Sequence, residues 1–543
     1  MIASSFPTSR IGVIPMPAST LFRKATVVDG SGAPAYTADV HVADSRITRV
    51  SDPRPGAGTA DRVIDAEGLV LSPGFIDVHS HADNAPFLHT ADVSKVTQGV
   101  TTEVVGNCGF SLAPVHDAHR DAFRSFTRRI FPPLPFDWSS IEEFFSRADE
   151  AGHVVNVAHL IGHNALRIAA MGLEARAPRP QELEAMRSQL RRALEAGVFG
   201  LSTGLIYPPG VFSEVEELVA LAEVLPPGRV YATHMRGEGP QLLRSVAEAV
   251  HIAERAGCRL QVSHLKATGK QAWGTVSDAL KALDAARARG LVAHQDVYPY
   301  EAAGTMLTAC LPPWFQDGGN QAFLARLRSE DALTRARAEL ERHDGSWENW
   351  VAAAGWDRIV VASSATHQYD GMTLAHIAAQ KGIASFDALV GVLLQEELQV
   401  SMTVFAMDEK DIAAAIAHPS SMIGSDGMPP GNGGKPHPRM FGTFPKILAT
   451  YVRDTGLLSL PEAIRKMTYL PATAFGIPDR GRIAEGCAAD LVLFDAGTVK
   501  DHATYEAPDR RAGGIRTVMV NGRIVVEDGE FSGERAGRRL TPA

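Results

Sequence analysis

Eight short apolar runs, each followed by a longer stretch with helical spacing, fill the middle of this 543-residue chain. In order they are GFIDVHS, GVTTEVVGN, HVVNVAHLIGH, GVFGLSTG, RVYATHMR, RLQVSHLK, LVAHQDVYPY and SSMIGSDG. Strand-length runs alternating with helices are the pattern of βα units feeding one parallel sheet. Eight of them predict an α/β protein of the (β/α)8 TIM-like type. Two of the intervening stretches, RPQELEAMRSQLRRALEAG and SEVEELVALAEVL, carry apolar residues at helical spacing and stop near Gly or Pro. In such a barrel the chemistry gathers at the C-terminal ends of the strands, so the residues that close each run are the ones to read.

The flanks have a different texture. From Leu21 to Leu71 the chain reads as short strands broken by Gly or Pro, and the same texture returns near the C-terminus in GRIAEGCAADLVLFD and GGIRTVMVNGRIVVEDGEF. There Asn521-Gly522 stands between two Val-rich runs as a hairpin turn. We therefore expect a small β-sandwich domain built from both termini, residues 21–73 and 478–535, around a catalytic barrel at 74–477. Residues 1–20 read as an N-terminal extension. One stretch after the seventh run, about 302–370, is rich in Pro, Gly, Trp and charge and reads as an insertion or lid.

Bulk properties exclude several classes of function. A formal charge of −9 with Lys and Arg scattered leaves no footprint for nucleic acid, so a small-molecule substrate is expected. No apolar run approaches the ~20 residues that span a bilayer, and Met1 to Thr20 lacks the apolar core of a secretory signal. Cys108, Cys258, Cys310 and Cys487 are too few and too far apart for a disulfide framework. Reduced thiols in a cytoplasm fit that usage, while the oligomeric state has no signal here.

The residues that close the runs form a metal-seeking set. His79 and His81 flank Ser80 at the end of the first run, and alternate residues on a strand project to the same side, so both imidazoles can face one ion. Cys108 ends the second run, and its thiolate is a soft zinc ligand able to bridge two ions. His234 and His264 occupy equivalent ends of two later runs. Asp426 closes the last run, where a carboxylate can ligate an ion, take the proton of a water and return it to a leaving amine. Each residue alone has an ordinary structural explanation; one placement repeated five times does not.

The ordered motifs SPGFIDVHSH, GNCG, STGLIYPPG, THMRGE, SHLKATG, IGSDG, HPRMFGTFPKIL and GRIAEGCAADLVLFD resemble the amidohydrolase superfamily. More narrowly they resemble the N-acyl-D-amino-acid deacylases, also called D-aminoacylases, from about Leu21 to Glu530. The resemblance implies a tight Zn2+ held by Cys108, His234 and His264, and a second, weaker divalent position at His79, His81 and Asp426. Cys108 would stand where many relatives use a carboxylated lysine, in agreement with the absence of Lys from GVFGLSTG. Tyr207 would act as an oxyanion donor, and Lys266, Tyr298 and Arg439 would clamp the substrate's α-carboxylate. Arg236 and Glu238 are candidate partners of the metal ligands, while His159, His163, His294 and His367 have no assigned place in the site.

Together these readings predict zinc-dependent hydrolysis of an N-acyl-D-amino acid to a carboxylate and a free D-amino acid, with Asp426 and Tyr207 as catalytic residues. The stretch TMLTACLPPWF after the seventh run offers no cation for a second carboxylate, which points to uncharged, apolar D-side chains. Two alternatives stand beside this reading. One is a cyclic-amide hydrolase of the hydantoinase or dihydroorotase type; the other is a metal-free amidohydrolase-like scaffold protein.

Overall fold

A computed structural model describes residues 19–53, 60–128, 130–342, 345–428 and 433–543. The N-terminal extension expected over 1–20 lies outside the described residues, except that Ser19 and Thr20 already belong to a strand, Ser19–Val27.

All eight apolar runs form strands of one parallel sheet. They are β1 (Phe75–Asp77), β2 (Val100–Val105), β3 (Asn156–Gly162), β4 (Gly200–Gly204), β5 (Val230–His234), β6 (Arg259–Val262), β7 (Ala293–Val297) and β8 (Ser421–Ile423). Spatial order follows chain order from β1 to β8, the order of a barrel. Every residue of β2, β3, β4 and β5 is buried, as expected of strands covered on both faces, whose sequences run apolar without alternation. The two helices read from spacing occur as Pro180–Glu195, with its proline in the first turn, and Val215–Ala222. Another, Ile141–Ala151, starts with a capping box in which Ser140 and Glu143 satisfy each other's backbone N–H groups.

Between β7 and β8 the chain leaves the barrel for a three-stranded antiparallel sheet of Ala302–Met306, Ile359–Ser364 and Val400–Phe405, the last at its centre. The excursion thus continues beyond 370, where the cues of Pro, Gly and Trp fade. Its first strand and a later loop press on the barrel mouth: Ala302 and Gly304 carbonyls accept from His437 and Arg439, and Glu348 accepts backbone N–H groups of Glu238 and Gly239.

Strands from both chain ends join in a single nine-stranded sheet, in which Val70–Pro73 pairs with Leu491–Phe494 and Ser19–Val27 carries both Arg62–Asp65 and Val70–Pro73 on one edge. Phe22, Val40, Ile47, Leu71, Leu493 and Met519 from six of its strands share one buried core. Asn521 and Gly522, with φ of 49° and 79°, turn Ile515–Val520 into Arg523–Glu527. A side chain at Gly522 would meet the Asp44 carbonyl at 1.7 Å, so this turn tolerates only glycine.

Among the described residues no single helix is long and apolar enough to cross a membrane. The pair Leu374–Lys381 and Ser385–Gln395 reaches that composition only when joined across a 96° bend. All four cysteines are free thiols.

Candidate metal centre

Each expected ligand sits at or just beyond the C-terminal end of a barrel strand. His79 and His81 follow β1, Cys108 follows β2, His234 closes β5, His264 follows β6 and Asp426 follows β8. Three of them hold the left-handed backbone conformation that L-residues avoid: φ is 52° at Cys108, 36° at His264 and 50° at Asp426. Such strain persists where the surroundings over-determine it, and here it falls on three of six residues of one cluster.

The donor atoms form two groups that share Cys108. His79, His81, Cys108 and Asp426 make one, and Cys108, His234 and His264 make the other, with all donors of a group within 4.8 Å of one another. Cys108 Sγ lies 3.2 Å from His79 Nε2 and 3.4 Å from His264 Nε2, and Asp426 Oδ1 lies 3.2 Å from His81 Nε2. All six residues are buried. Neither ring nitrogen of His234 completes a hydrogen bond, an arrangement that is costly for a buried imidazole. A divalent cation among one thiolate and two imidazoles satisfies it, and this donor set suits zinc.

The electrostatics favour a cation. Burial pushes the Cys108 thiol up, but the imidazoles of His79 and His264 outweigh it and hold the pKa well below that of an ordinary thiol. Burial likewise opposes ionisation of Asp426, and Arg439 and His79 overcome it, leaving the carboxylate well below its usual range. Against its own desolvation, His81 is pushed up to about 9, chiefly through Asp426 and Cys108. Two buried anions thus draw protons onto their histidines, and a divalent ion would take the place of those protons.

Carboxylates lie behind two of the imidazoles. Glu238 Oε1 lies 3.1 Å from His264 Nδ1, and Asp296 Oδ1 lies 3.3 Å from His79 Nδ1 while accepting the His264 backbone N–H at 2.9 Å. An Nδ1–H turned to such a carboxylate leaves the Nε2 lone pair for an ion; at His264 the Lys266 ammonium, 2.8 Å from Nδ1, competes with Glu238 for that nitrogen. Glu238 was one of the two candidate partners read from MRGE; the other, Arg236, faces away and clamps Glu248 at 2.8 Å, with further bonds to the Val211 and Ser213 carbonyls. Asp296 went unread, although a charged residue within an apolar run, two positions before Tyr298 on the same strand face, was a usable signal.

The residues expected to contact substrate surround the same cluster. The Tyr207 hydroxyl lies 2.9 Å from Thr305 Oγ1, and its ring packs edge-on to His234. Burial, then the Cys108 charge, push its pKa well above that of an ordinary phenol, so it stays a neutral donor. Tyr298 carries the Arg439 guanidinium at 4.8 Å and the Lys266 ammonium at 5.8 Å from its ring centre, and its own hydroxyl is buried without a partner. Lys266 is already engaged, donating to Glu238 at 2.7 Å and lying 2.8 Å from His264 Nδ1. Arg439 begins the helix Arg439–Lys446 and donates to the Gly304 carbonyl at 3.1 Å. Beside it a cavity of about 40 Å³ is lined by Met402, Met428 and Met440 together with Ser401, Thr403 and His437, next to a cleft of about 880 Å³ that carries Lys435, Arg510 and Arg511 on its walls.

Three of the four histidines without an assigned role have other occupations. His163 pairs with Glu217 at 2.7 Å, His367 pairs with Asp370 at 2.8 Å, and His159 packs on Phe145.

Comparison with known proteins supplies relatives for this geometry. Residues 62–526 match the family described as the Amidohydrolase family. An N-acyl-D-aspartate deacylase of Alcaligenes xylosoxydans xylosoxydans is 36% identical over 97% of this chain and 96% of its own length. A D-aminoacylase structure, described for its binuclear metal centre with one-metal activation and second-metal attenuation, is 35% identical with a TM-score of 0.80. It covers 96% of this chain and 99% of that one. An N-acyl-D-glutamate deacylase from Bordetella bronchiseptica, complexed with zinc and a phosphonate mimic of the tetrahedral intermediate, is 34% identical with a TM-score of 0.79, over the same shares of the two chains.

Proposed function

The chain belongs to the amidohydrolase family, and from that premise we propose that it is a zinc-dependent N-acyl-D-amino-acid deacylase, releasing a carboxylate and a free D-amino acid. The observation that carries this reading is the pair of donor groups sharing Cys108, set beside a buried arginine stacked on a tyrosine. Cys108, His234 and His264 would hold the tight ion, and His79, His81 and Asp426, with Cys108 in reach, the weaker one. Zinc, when bound, supplies a Lewis acid that acidifies water and polarises a carbonyl.

The chain's own residues do the rest. Arg439 presents a planar fork suited to an α-carboxylate, with Tyr298 beneath it and Lys266 nearby; these three orient the amide toward the donor cluster. Tyr207, a neutral phenol, donates to the oxygen on which charge develops. Asp426 takes the proton of the attacking water through one carboxylate oxygen and delivers it to the leaving nitrogen. The excursion between β7 and β8 covers the mouth and excludes bulk water. Residues 21–73 with 478–535 form a separate sheet domain in this reading, beside a barrel at 74–477.

We assign the preference to uncharged, apolar D-side chains. The methionine-lined cavity beside Arg439 supports it, since flexible thioethers adapt to apolar groups of varied shape. Cytoplasmic location and a small-molecule substrate, without a nucleic-acid or membrane partner, belong to the same proposal, and the four free cysteines agree with a reducing compartment. The test is amine release from a panel of N-acetyl-D- and N-acetyl-L-amino acids. Turnover of N-acetyl-D-methionine or D-leucine above N-acetyl-D-glutamate is expected; hydrolysis of cyclic amides with no release from any D-substrate overturns the reading.

A further inference from the structure

The barrel has a seam, and half the ligand set lies on it. Neighbouring strands from β1 to β8 are joined by parallel ladders. By contrast β8 and β1 meet beyond their ends, in one bridge between Ser80 and Gly427 and two backbone bonds, Asp426 N–H to the His79 carbonyl at 2.7 Å and His81 N–H to the Gly427 carbonyl at 3.0 Å. His79 and His81 stand on one side of this seam and Asp426 on the other. Whatever fixes the seam therefore fixes the spacing of the second metal position.

Directly beneath lies a closed polar network. Asp77, the last residue of β1, is fully buried and reaches across the seam. Its Oδ1 accepts the Ser425 backbone N–H at 2.8 Å and its Oδ2 accepts the Ser425 hydroxyl at 2.5 Å. Lys95, in the connection from β1 to β2 and 2% exposed, sends its ammonium into the centre. It donates to Asp77 Oδ2 at 2.8 Å, to Glu103 Oε1 of β2 at 2.9 Å and to Ser80 Oγ at 3.0 Å, using all three of its donors. Ser80 is the residue between the two histidines; strand alternation sends the imidazoles to one side and this hydroxyl to the other. The lysine stem also fills the space beside Gly427, where an added side chain would meet Lys95 Cε at 3.1 Å. One side chain thus touches the end of β1, Glu103 within β2 and the loop that follows β8.

We propose that Lys95 is a positioning residue for the second metal position. It neutralises two buried carboxylates and locks the seam, so that His79, His81 and Asp426 converge on one point. Cys108 follows β2, His234 closes β5 and His264 follows β6; among the described residues no hydrogen bond or ion pair joins the last two to this network, so the tight position depends on Lys95 far less. The inference rests on the two-position reading given above, but testing it requires no substrate.

The experiment is a Co2+ titration of chelator-stripped full-length protein, followed by visible absorption and by competition with a chromophoric chelator. Wild-type protein is expected to take up two equivalents, the tighter one showing thiolate-to-cobalt absorption. In Lys95→Met the first equivalent keeps its affinity and its spectrum, while the second weakens about 10- to 100-fold, the range found when a partner behind a metal ligand is lost. Lys95→Arg recovers part of the second affinity. Two equivalents with unchanged affinities in Lys95→Met overturn the role of Lys95. A single equivalent in wild-type protein overturns the two-position reading and this inference with it. Should Lys95→Met fail to fold, Ser425→Ala and Ser80→Ala each remove one strut without stranding a charge, and a selective loss of the second affinity is again the expected result. Equal loss at both positions, or none, counts against it.

Discussion

Arg439 Nη1 lies 2.8 Å from Asp426 Oδ2: the residue proposed to grip the substrate's carboxylate touches the residue proposed to move the proton. Nη2 meanwhile donates to the Gly304 carbonyl at 3.1 Å, so an incoming carboxylate would have to take over part of a guanidinium that is already engaged on both sides. Arg439→Met should therefore raise KM strongly and lower kcat/KM by about 100- to 1000-fold, in line with ~2–5 kcal/mol for truncating a buried charged hydrogen-bonding partner. The zinc held by Cys108, His234 and His264 should stay at the wild-type level, which separates loss of substrate grip from collapse of the site. Steady-state kinetics with metal analysis on the same sample checks both.

Asp426→Asn should abolish turnover while leaving one tightly bound zinc. The amide still offers an oxygen to the second position but takes no proton from water, and Cys108, His234 and His264 are untouched by the change. A loss of at least about 1000-fold in kcat is expected where base and acid work pass through one group. Residual activity above that level, with zinc still bound, assigns the proton transfer to another residue.

Much of this site was legible because barrels expose their chemistry at strand ends. His79, His81, Cys108, His234, His264 and Asp426 each close an apolar run, and that placement is readable without coordinates. Their orienting partners were harder to read. Glu238 was visible only as a neighbour in sequence, and its companion Arg236 turned out to serve Glu248. Asp77, Lys95, Glu103 and Asp296 lie within or beneath strands, where a charged letter in an apolar run reports burial but not its partner. The excursion's end was misplaced for a related reason: Val400–Phe405 is a short apolar stretch whose antiparallel pairing with Ala302–Met306 and Ile359–Ser364 depends on residues far away in sequence.

Tyr207→Phe should lower kcat about 100-fold or more with little change in KM, because an oxyanion donor acts mainly in the transition state. Thr305→Val tests the other end of its 2.9 Å hydrogen bond. Thr305 belongs to the excursion, so a fall of several-fold in kcat would mean that the excursion aims the phenol as well as covering it. An unchanged kcat would confine Thr305 to packing.

Glu238→Gln keeps the shape behind His264 but removes the charge that holds Lys266 and the His264 ring. The affinity of the tight position should fall about 10- to 100-fold, as for other carboxylates that orient a ligating histidine. Equilibrium dialysis against a chelator series measures it directly, and an unchanged affinity would leave Glu238 as a counter-ion for Lys266 alone.

Glu348 gives the stability of the excursion a pH dependence of its own. Burial, then the nearby Glu238 charge, push its carboxyl up to about 7, whereas in the unfolded chain it titrates near 4.3. Between those values the native state keeps a proton that the unfolded chain has lost. Stability is therefore greatest below about pH 4 as far as this group is concerned, and falls as pH rises toward 7. Glu348→Gln removes this penalty while keeping an oxygen for the Glu238 and Gly239 N–H groups that Glu348 now receives at 2.8 and 3.3 Å. The variant should match wild type in thermal unfolding near pH 4 and exceed it at pH 8, by on the order of 1–3 kcal/mol. A gain of the same size at both pH values would trace the effect to packing rather than to the proton. A loss at pH 8 would mean that the charged carboxylate, through its two backbone N–H bonds, contributes more to docking the excursion than its burial costs.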